Sequence, residues 1–307
     1  MVLRGAILYC LTFAILTIIH FPYASDELPQ STQVTAFEHS TKAETFYQDT
    51  YDSDADDFYV QAARQAAELA NVEGKIRSFV EEYGLKDRRI LDVGAGSGML
   101  QDVVHDYTAL DISPSAKRFF HKPFVLGSAT AMPFRDDEFD AAWTIWVLEH
   151  VPQPELALRE IRRVVRHRGF IYLAPQWNCT PWAADGYEVR PYSDFGLTGK
   201  ITKASIPFRR HPLYRFSYLV PIRSVRLSRW FLTRSPTSLR YHRLTPNYDK
   251  YWVTDSDAVN SIDFFEAYLW FTSRGDTCLN CRNAWDELLL YNRWALIIQV
   301  EKPSRGN

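Results

Sequence analysis

Apolar and polar positions divide this 307-residue chain into stretches of different character. An apolar run over residues 6–19 comes first, with Arg4 before it and the acidic pair Asp26 and Glu27 after it. Residues 25–57 are polar and acid-rich, with Asp49, Asp52, Asp54, Asp56 and Asp57 close together and no periodic apolar face, which is the pattern of a linker. Helical spacing follows over 58–69 and 74–83, where Ile76, Phe79 and Val80 share one face and Gly84 ends the run. Short apolar strand candidates then alternate with helix-capable segments at 89–93, 108–111, 124–126, 139–144 and 169–174. After Pro175 the alternation gives way to loops rich in Trp, Pro and Tyr, and strand character returns at 267–271 and 294–300.

Strand-helix alternation predicts a parallel sheet with crossover helices. The two late strands are expected to pair as an antiparallel edge. The fold class is therefore α/β: a doubly wound, Rossmann-like sheet, mostly parallel, with an antiparallel C-terminal edge strand, an N-terminal apolar segment and a basic insertion. The expected organisation is an apolar anchor or signal segment at 1–24, an acidic linker at 25–57 and a ligand-binding core at 58–175. An aromatic and basic insertion at 176–264 and C-terminal strands at 265–307 complete it.

The strongest local signal is Ile90-Leu91-Asp92-Val93-Gly94-Ala95-Gly96-Ser97-Gly98, an apolar strand that runs into three glycines and then an expected helix. Glycine there lets backbone approach a ligand and adopt angles that other residues resist. Met99 stands where a dinucleotide fingerprint would want glycine or alanine, and Asp111 closes the next strand candidate, where an acid can accept both ribose hydroxyls of a nucleoside. A nicotinamide-dependent oxidoreductase is the weaker reading on these grounds.

The stretch resembles motif I of class I S-adenosylmethionine-dependent methyltransferases. The resemblance continues in order through Gly127-Ser128-Ala129-Thr130-Ala131-Met132-Pro133-Phe134, Asp137-Glu138-Phe139-Asp140 and Val147-Leu148-Glu149-His150-Val151-Pro152, as in the subgroup that includes ubiquinone and menaquinone biosynthesis enzymes. It implies S-adenosylmethionine as cofactor, with Asp92, Gly94, Gly96 and Gly98 lining its methionine and ribose moieties and Asp111 on the ribose hydroxyls. Ser128 and Ala129 would meet the adenine, with Ser128 standing where the family commonly has Asp. Thr144, Ile145 and Trp146 would wall the same pocket, Trp143 and Trp146 being equally at home in the core. Glu149 and His150 are the candidates for general base, since imidazole titrates near neutral pH, although such a pair is often only a cap or a packing contact. A membrane-tethered nucleoside-binding protein on a non-catalytic scaffold is a further reading, because fold does not guarantee activity.

Composition adds limits. With 46% hydrophobic residues the chain can bury a full core, and a formal net charge of −2 gives no global argument for nucleic acid. Charge is nevertheless uneven, for residues 195–248 hold eleven Lys or Arg and no Asp or Glu, interleaved with Phe208, Tyr214, Phe216, Tyr218, Trp230, Phe231 and Tyr241. Three readings stand: docking on an anionic membrane surface, capture of a phosphorylated or acidic acceptor, or a solvated basic lid. No RNA-binding module accompanies the stretch, so nucleic acid is not expected. The acceptor is expected to be a small molecule or lipid.

The apolar run is short of the roughly 20 residues that cross a bilayer, and Pro22 spoils a clean cleavage site before Ser25. An uncleaved anchor, a removed signal peptide and an over-long start all remain open, and so do membrane-associated, secreted and cytoplasmic locations. Cys278 and Cys281 form a Cys-x-x-Cys pair, read first as ordinary loop cysteines, with a local disulfide or a part in a metal site as the alternatives.

Overall fold

A computed structural model of the chain describes residues 2–20, 23–24, 58–184, 186–246, 256–290 and 293–302, so the linker at 25–57 lies outside the described residues. The chain divides into two compact units. The sheet unit comprises Asp26–Gln176, Arg274–Asn280 and Trp294–Asn307, and the helical unit comprises Met1–Ser25, Trp177–Ser273 and Cys281–Arg293.

The N-terminal run forms helix α1 (Val2–His20), whose Tyr9 hydroxyl donates to Ser217 Oγ at 2.8 Å inside the helical unit. Among the described residues no helix is long and apolar enough to cross a membrane, so the expected transmembrane helix finds no support. The apolar run, residues 6–19, is too short for the task.

In the sheet unit, α2 (Phe58–Leu69) and α3 (Val72–Glu82) precede the sheet. Helix α3 buries Ile76, Phe79 and Val80, the face that the periodicity predicts. The strands are β1 (Arg89–Val93), β2 (Asp106–Asp111), β3 (Phe124–Leu126), β4 (Phe139–Ile145), β5 (Val165–Ala174), β6 (Thr277–Cys278) and β7 (Leu296–Gln299), and α4 (Pro154–Val164) lies between β4 and β5. Their order is β3-β2-β1-β4-β5-β7-β6. Strands β1 to β5 are mutually parallel, while β7 runs antiparallel to β5 and to β6. Ile90 to Val93 are all buried, as a central strand covered on both faces requires. Because the chain moves outward from β1 to β3 and returns to the other side at β4, the order reverses between β1 and β4. Such a reversal opens a crevice beyond the strand ends, where ligands of open α/β sheets bind.

Two elements differ from expectation. No helix follows Gly98: residues 99–105 form turns, because only twelve residues, 94–105, join β1 to β2 and the glycine turn uses several of them. Gln101 pins this short connection, its Nε2 donating to Gly98 O and Phe119 O, both at 3.0 Å, while its Oε1 accepts the His121 N–H. The strand expected at 267–271 is instead a helix, Phe264–Thr272, buried along Phe264 to Phe271 and capped by the Asp263 side chain, which accepts the Phe265 N–H. A continuous apolar run has no period to separate strand from helix, and here the cap decides. The antiparallel edge is still present, with Thr277–Cys278 as the partner of β7.

The helical unit contains α5 (Leu197–Arg210), α6 (Pro212–Thr233), the capped helix α7 (Phe264–Thr272) and α8 (Ala284–Leu289). Tyr23–Ala24, Tyr241–Arg243 and Asn260–Ile262 form a small antiparallel sheet there. The solvated-lid reading of the insertion needs correction at two arginines. Arg223 is buried and paired in two contacts with Asp263 at 2.6 and 2.7 Å, and it also donates to Leu288 O and Leu290 O. Arg226 is buried against Glu266 at 2.9 Å. Both acids lie outside the acid-free stretch 195–248, so its local sequence could not show them. Cys278 and Cys281 are disulfide-bonded, contrary to the loop-cysteine expectation; two thiols three residues apart on one turn fall within bonding reach.

Candidate active site

The site is built at the C-terminal ends of β1, β2 and β4. Gly94 and Gly98 adopt φ of 73° and 71°, in the left-handed region that glycine enters without cost. Space is as restrictive as angle, since a Cβ on Gly94 would lie 2.4 Å from Val147 Cγ2. Gly96, also left-handed, donates its N–H to Asp111 Oδ2 at 2.8 Å, and the Ser113 N–H reaches Asp111 Oδ1 at 2.9 Å. The acid that ends β2 therefore holds the glycine turn to the loop after β2. A carboxylate has about four acceptor positions, so acceptor capacity remains for a ligand.

Asp92, Ala109 and Trp143 are neighbours across β1, β2 and β4, and alternation along β2 puts Tyr107 and Asp111 on that same sheet face. Asp92 is buried and accepts the Tyr107 hydroxyl at 2.8 Å. Burial pushes its pKa up to about 7, against the pull of hydrogen bonds from Trp143 and Tyr107, and the charge of Asp111 adds to the rise. The Asp111 pKa is raised too, chiefly by burial, with the Ser113 and Gly96 N–H groups opposing. Two buried carboxylates on one face attract positive charge and hydroxyl donors.

The other expected residues are placed as follows. Ser128 and Ala129 lie half-buried after β3, and Ser128 Oγ is engaged with Thr130, through its N–H at 3.2 Å and its hydroxyl at 2.9 Å. Thr144 is buried, but alternation turns its side chain to the face opposite Trp143 and Asp92, so the structure does not bring it to the carboxylate pair. Glu149 and His150 sit on a short 3-10 turn, Leu148–His150, just beyond β4. Glu149 is 1% exposed and its Oε1 accepts the Gln176 N–H at 3.1 Å; His150 Nε2 stands 3.9 Å from that same oxygen, outside hydrogen-bond range.

Sequence reasoning missed four supports of this site. Tyr107 solvates Asp92, and Val147 shuts the space over Gly94. On α4, Glu160 accepts the Met132 N–H at 2.8 Å, and Arg163 pairs with Glu160 while donating to Met132 O and Phe134 O. That network fastens the loop after Ser128, and Arg163 draws the Glu160 pKa down. Tyr107 was the readable one, since it sits four residues before Asp111 and so on the same face of its strand.

Parallel strands, a glycine turn and an acid at the end of the next strand define a doubly wound nucleoside-binding domain. Residues 91–173 match the family described as methyltransferase domain. Among curated proteins, the chain is 35% identical over 96 residues to a demethylmenaquinone methyltransferase of Renibacterium salmoninarum, covering 28% of this chain and 40% of that protein. It is 26% identical over 203 residues to a ubiquinone biosynthesis O-methyltransferase of Alkalilimnicola ehrlichii, covering 60% of this chain and 75% of that protein. Among solved structures, the YcgJ protein of Bacillus subtilis is 25% identical with a TM-score of 0.28, over 30% of this chain and 46% of that one. The chain thus spans about two fifths of the length of the demethylmenaquinone methyltransferase.

Proposed function

We propose that the chain binds S-adenosylmethionine at the ends of β1 and β2 and transfers its methyl group to a small-molecule acceptor. The observation that carries this reading is the pair of buried carboxylates, Asp92 and Asp111, on one sheet face beside the left-handed glycine turn. When bound, the cofactor supplies an electrophilic methyl on a sulfonium with a neutral leaving group. The glycine turn lets backbone approach the ligand, and Asp111 offers its remaining acceptor capacity to ribose hydroxyls. Asp92 gains a partner in the positive charge of the ligand and gives up its proton. Ser128 and Ala129 lie beside the adenine, where the neutral Ser128 makes a weaker acceptor than a carboxylate.

His150 takes a proton from the acceptor, with Glu149, anchored through Gln176, beside it as the second candidate base. The acceptor is a quinone-like molecule, a reading supported by the names of the two relatives above. Contact with a membrane surface is a second reading, supported by Leu3, Ile7, Leu8 and Leu11 of α1, which are 51–74% exposed. Co-flotation of the full chain with anionic vesicles, lost when these four become serine, tests it.

Calorimetric titration with S-adenosylmethionine, S-adenosylhomocysteine and NAD, on the chain and on Asp111→Ala, tests the cofactor. Binding of the two sulfur ligands that weakens with the substitution supports the proposal, whereas NAD binding, or no nucleoside binding by folded protein, overturns it. Turnover of a demethylated quinol separates an enzyme from a binding protein. His150→Ala is expected to lower kcat by about 100-fold or more and to remove the acid limb of its pH profile.

A further inference from the structure

We propose that Arg209, in the helical unit, is the anchor of a binding site for an oxyanion, a carboxylate or phosphate group of a ligand. Arg209 lies in the last turn of helix α5 and is 2% exposed, and among the described residues its Nε and Nη1 have no hydrogen-bond partner. The other buried arginines of this unit are satisfied, Arg223 by Asp263 and Arg226 by Glu266. Two acids of this unit are engaged with other arginines: Glu188 pairs with Arg210, and Asp194 stands 4.0 Å from Arg190. Lys203 holds the adjoining loop through the carbonyls of Tyr187, Glu188 and Arg190. Tyr187 and Tyr214 are the titratable neighbours whose fields reach the guanidinium.

Burial lowers the Arg209 pKa to about 10, so the group remains charged at neutral pH. An unpaired buried charge is costly, and a guanidinium fork whose donors have no partner matches the two oxygens of a carboxylate or phosphate. Tyr214, whose ring is tilted by 54° against Phe208 at 5.0 Å between ring centres, lies within the first turn of α6 beside the same group. The site needs neither S-adenosylmethionine nor methyl transfer, so it stands or falls apart from the proposed activity.

The test follows Tm of the full chain at constant ionic strength, with chloride replaced by inorganic phosphate or by acetate. The wild-type Tm is expected to rise by about 4 °C or more at saturation with at least one of them. Arg209→Met should abolish the rise and, in chloride alone, match or exceed wild-type stability, because a buried unpaired charge has gone. Should that variant fail to fold, Arg209→Lys serves, keeping the charge but not the fork, and is expected to show a clearly smaller rise. A response to phosphate alone assigns a phosphate, and a response to acetate alone a carboxylate. Stabilisation by phosphatidic acid vesicles but not by glycerol phosphate places the oxyanion on a lipid headgroup. A wild-type Tm indifferent to every one of these probes, or a rise that both variants retain in full, overturns the proposal.

Discussion

The hydroxyl of Tyr107 donates to Oδ2 of Asp92 at 2.8 Å, and both groups are buried beneath the glycine turn. With its pKa raised from 3.8 to about 7, Asp92 keeps a proton in the folded protein that the unfolded chain has already released. The folded state therefore binds more protons between pH 4 and 7, and stability falls as pH rises through that window, by at most roughly 4 kcal/mol from this group. Urea unfolding at pH 5 and pH 7.5 should show the fall, and Asp92→Asn should flatten it. The same ionisation makes affinity for S-adenosylmethionine increase from pH 6 to 8, while that of S-adenosylhomocysteine, a zwitterion without the sulfonium charge, changes less.

Gly94→Ala is expected to destabilise the protein by about 2–4 kcal/mol, combining a left-handed angle with overpacking against Val147. Adding Val147→Ala should recover part of the loss, because it relieves the contact but not the angle. Chemical denaturation of the two single variants and the double variant measures this coupling. Equal losses with and without the second substitution would show that the contact is not the cause.

Glu160 and Arg163 hold the backbone at Met132 and Phe134 from α4. Glu160→Gln or Arg163→Ala should cost about 1–3 kcal/mol by leaving partly buried partners unmatched. Hydrogen exchange should rise specifically in residues 127–136, which contain Ser128 and Ala129. Weaker cofactor binding without a change in the kcat of the saturated enzyme would accompany it.

Arg223→Met should destabilise by about 3–5 kcal/mol, because Asp263 would be left as a buried charge without its partner. Arg223→Met combined with Asp263→Asn removes both charges and retains an N-cap for α7, so most of the stability should return. Thermal unfolding compares the two. A mild loss in the single variant would restore the view of this arginine as solvated.

What the sequence by itself determined is local and backbone-driven. Three glycines after an apolar strand have few other uses, a two-residue period places Asp111 at a strand end, and five short apolar runs demand a covered parallel sheet. These signals need only near neighbours, and all of them reappear in β1 to β5. Tertiary structure decided whatever depends on partners far along the chain or on burial. Helix α7 formed where apolar residues alone leave strand and helix equal, and the seven residues after the glycine turn were too few for a helix. Thr144 faced away from the carboxylates, and Arg223 found an acid forty residues on while Arg209 found none. Asp92 is an ordinary acid in sequence; only its burial in the packed sheet raises its pKa toward 7, against the hydrogen bonds of Trp143 and Tyr107, because the cost of a charge is set by the dielectric around it and not by its neighbours in the chain.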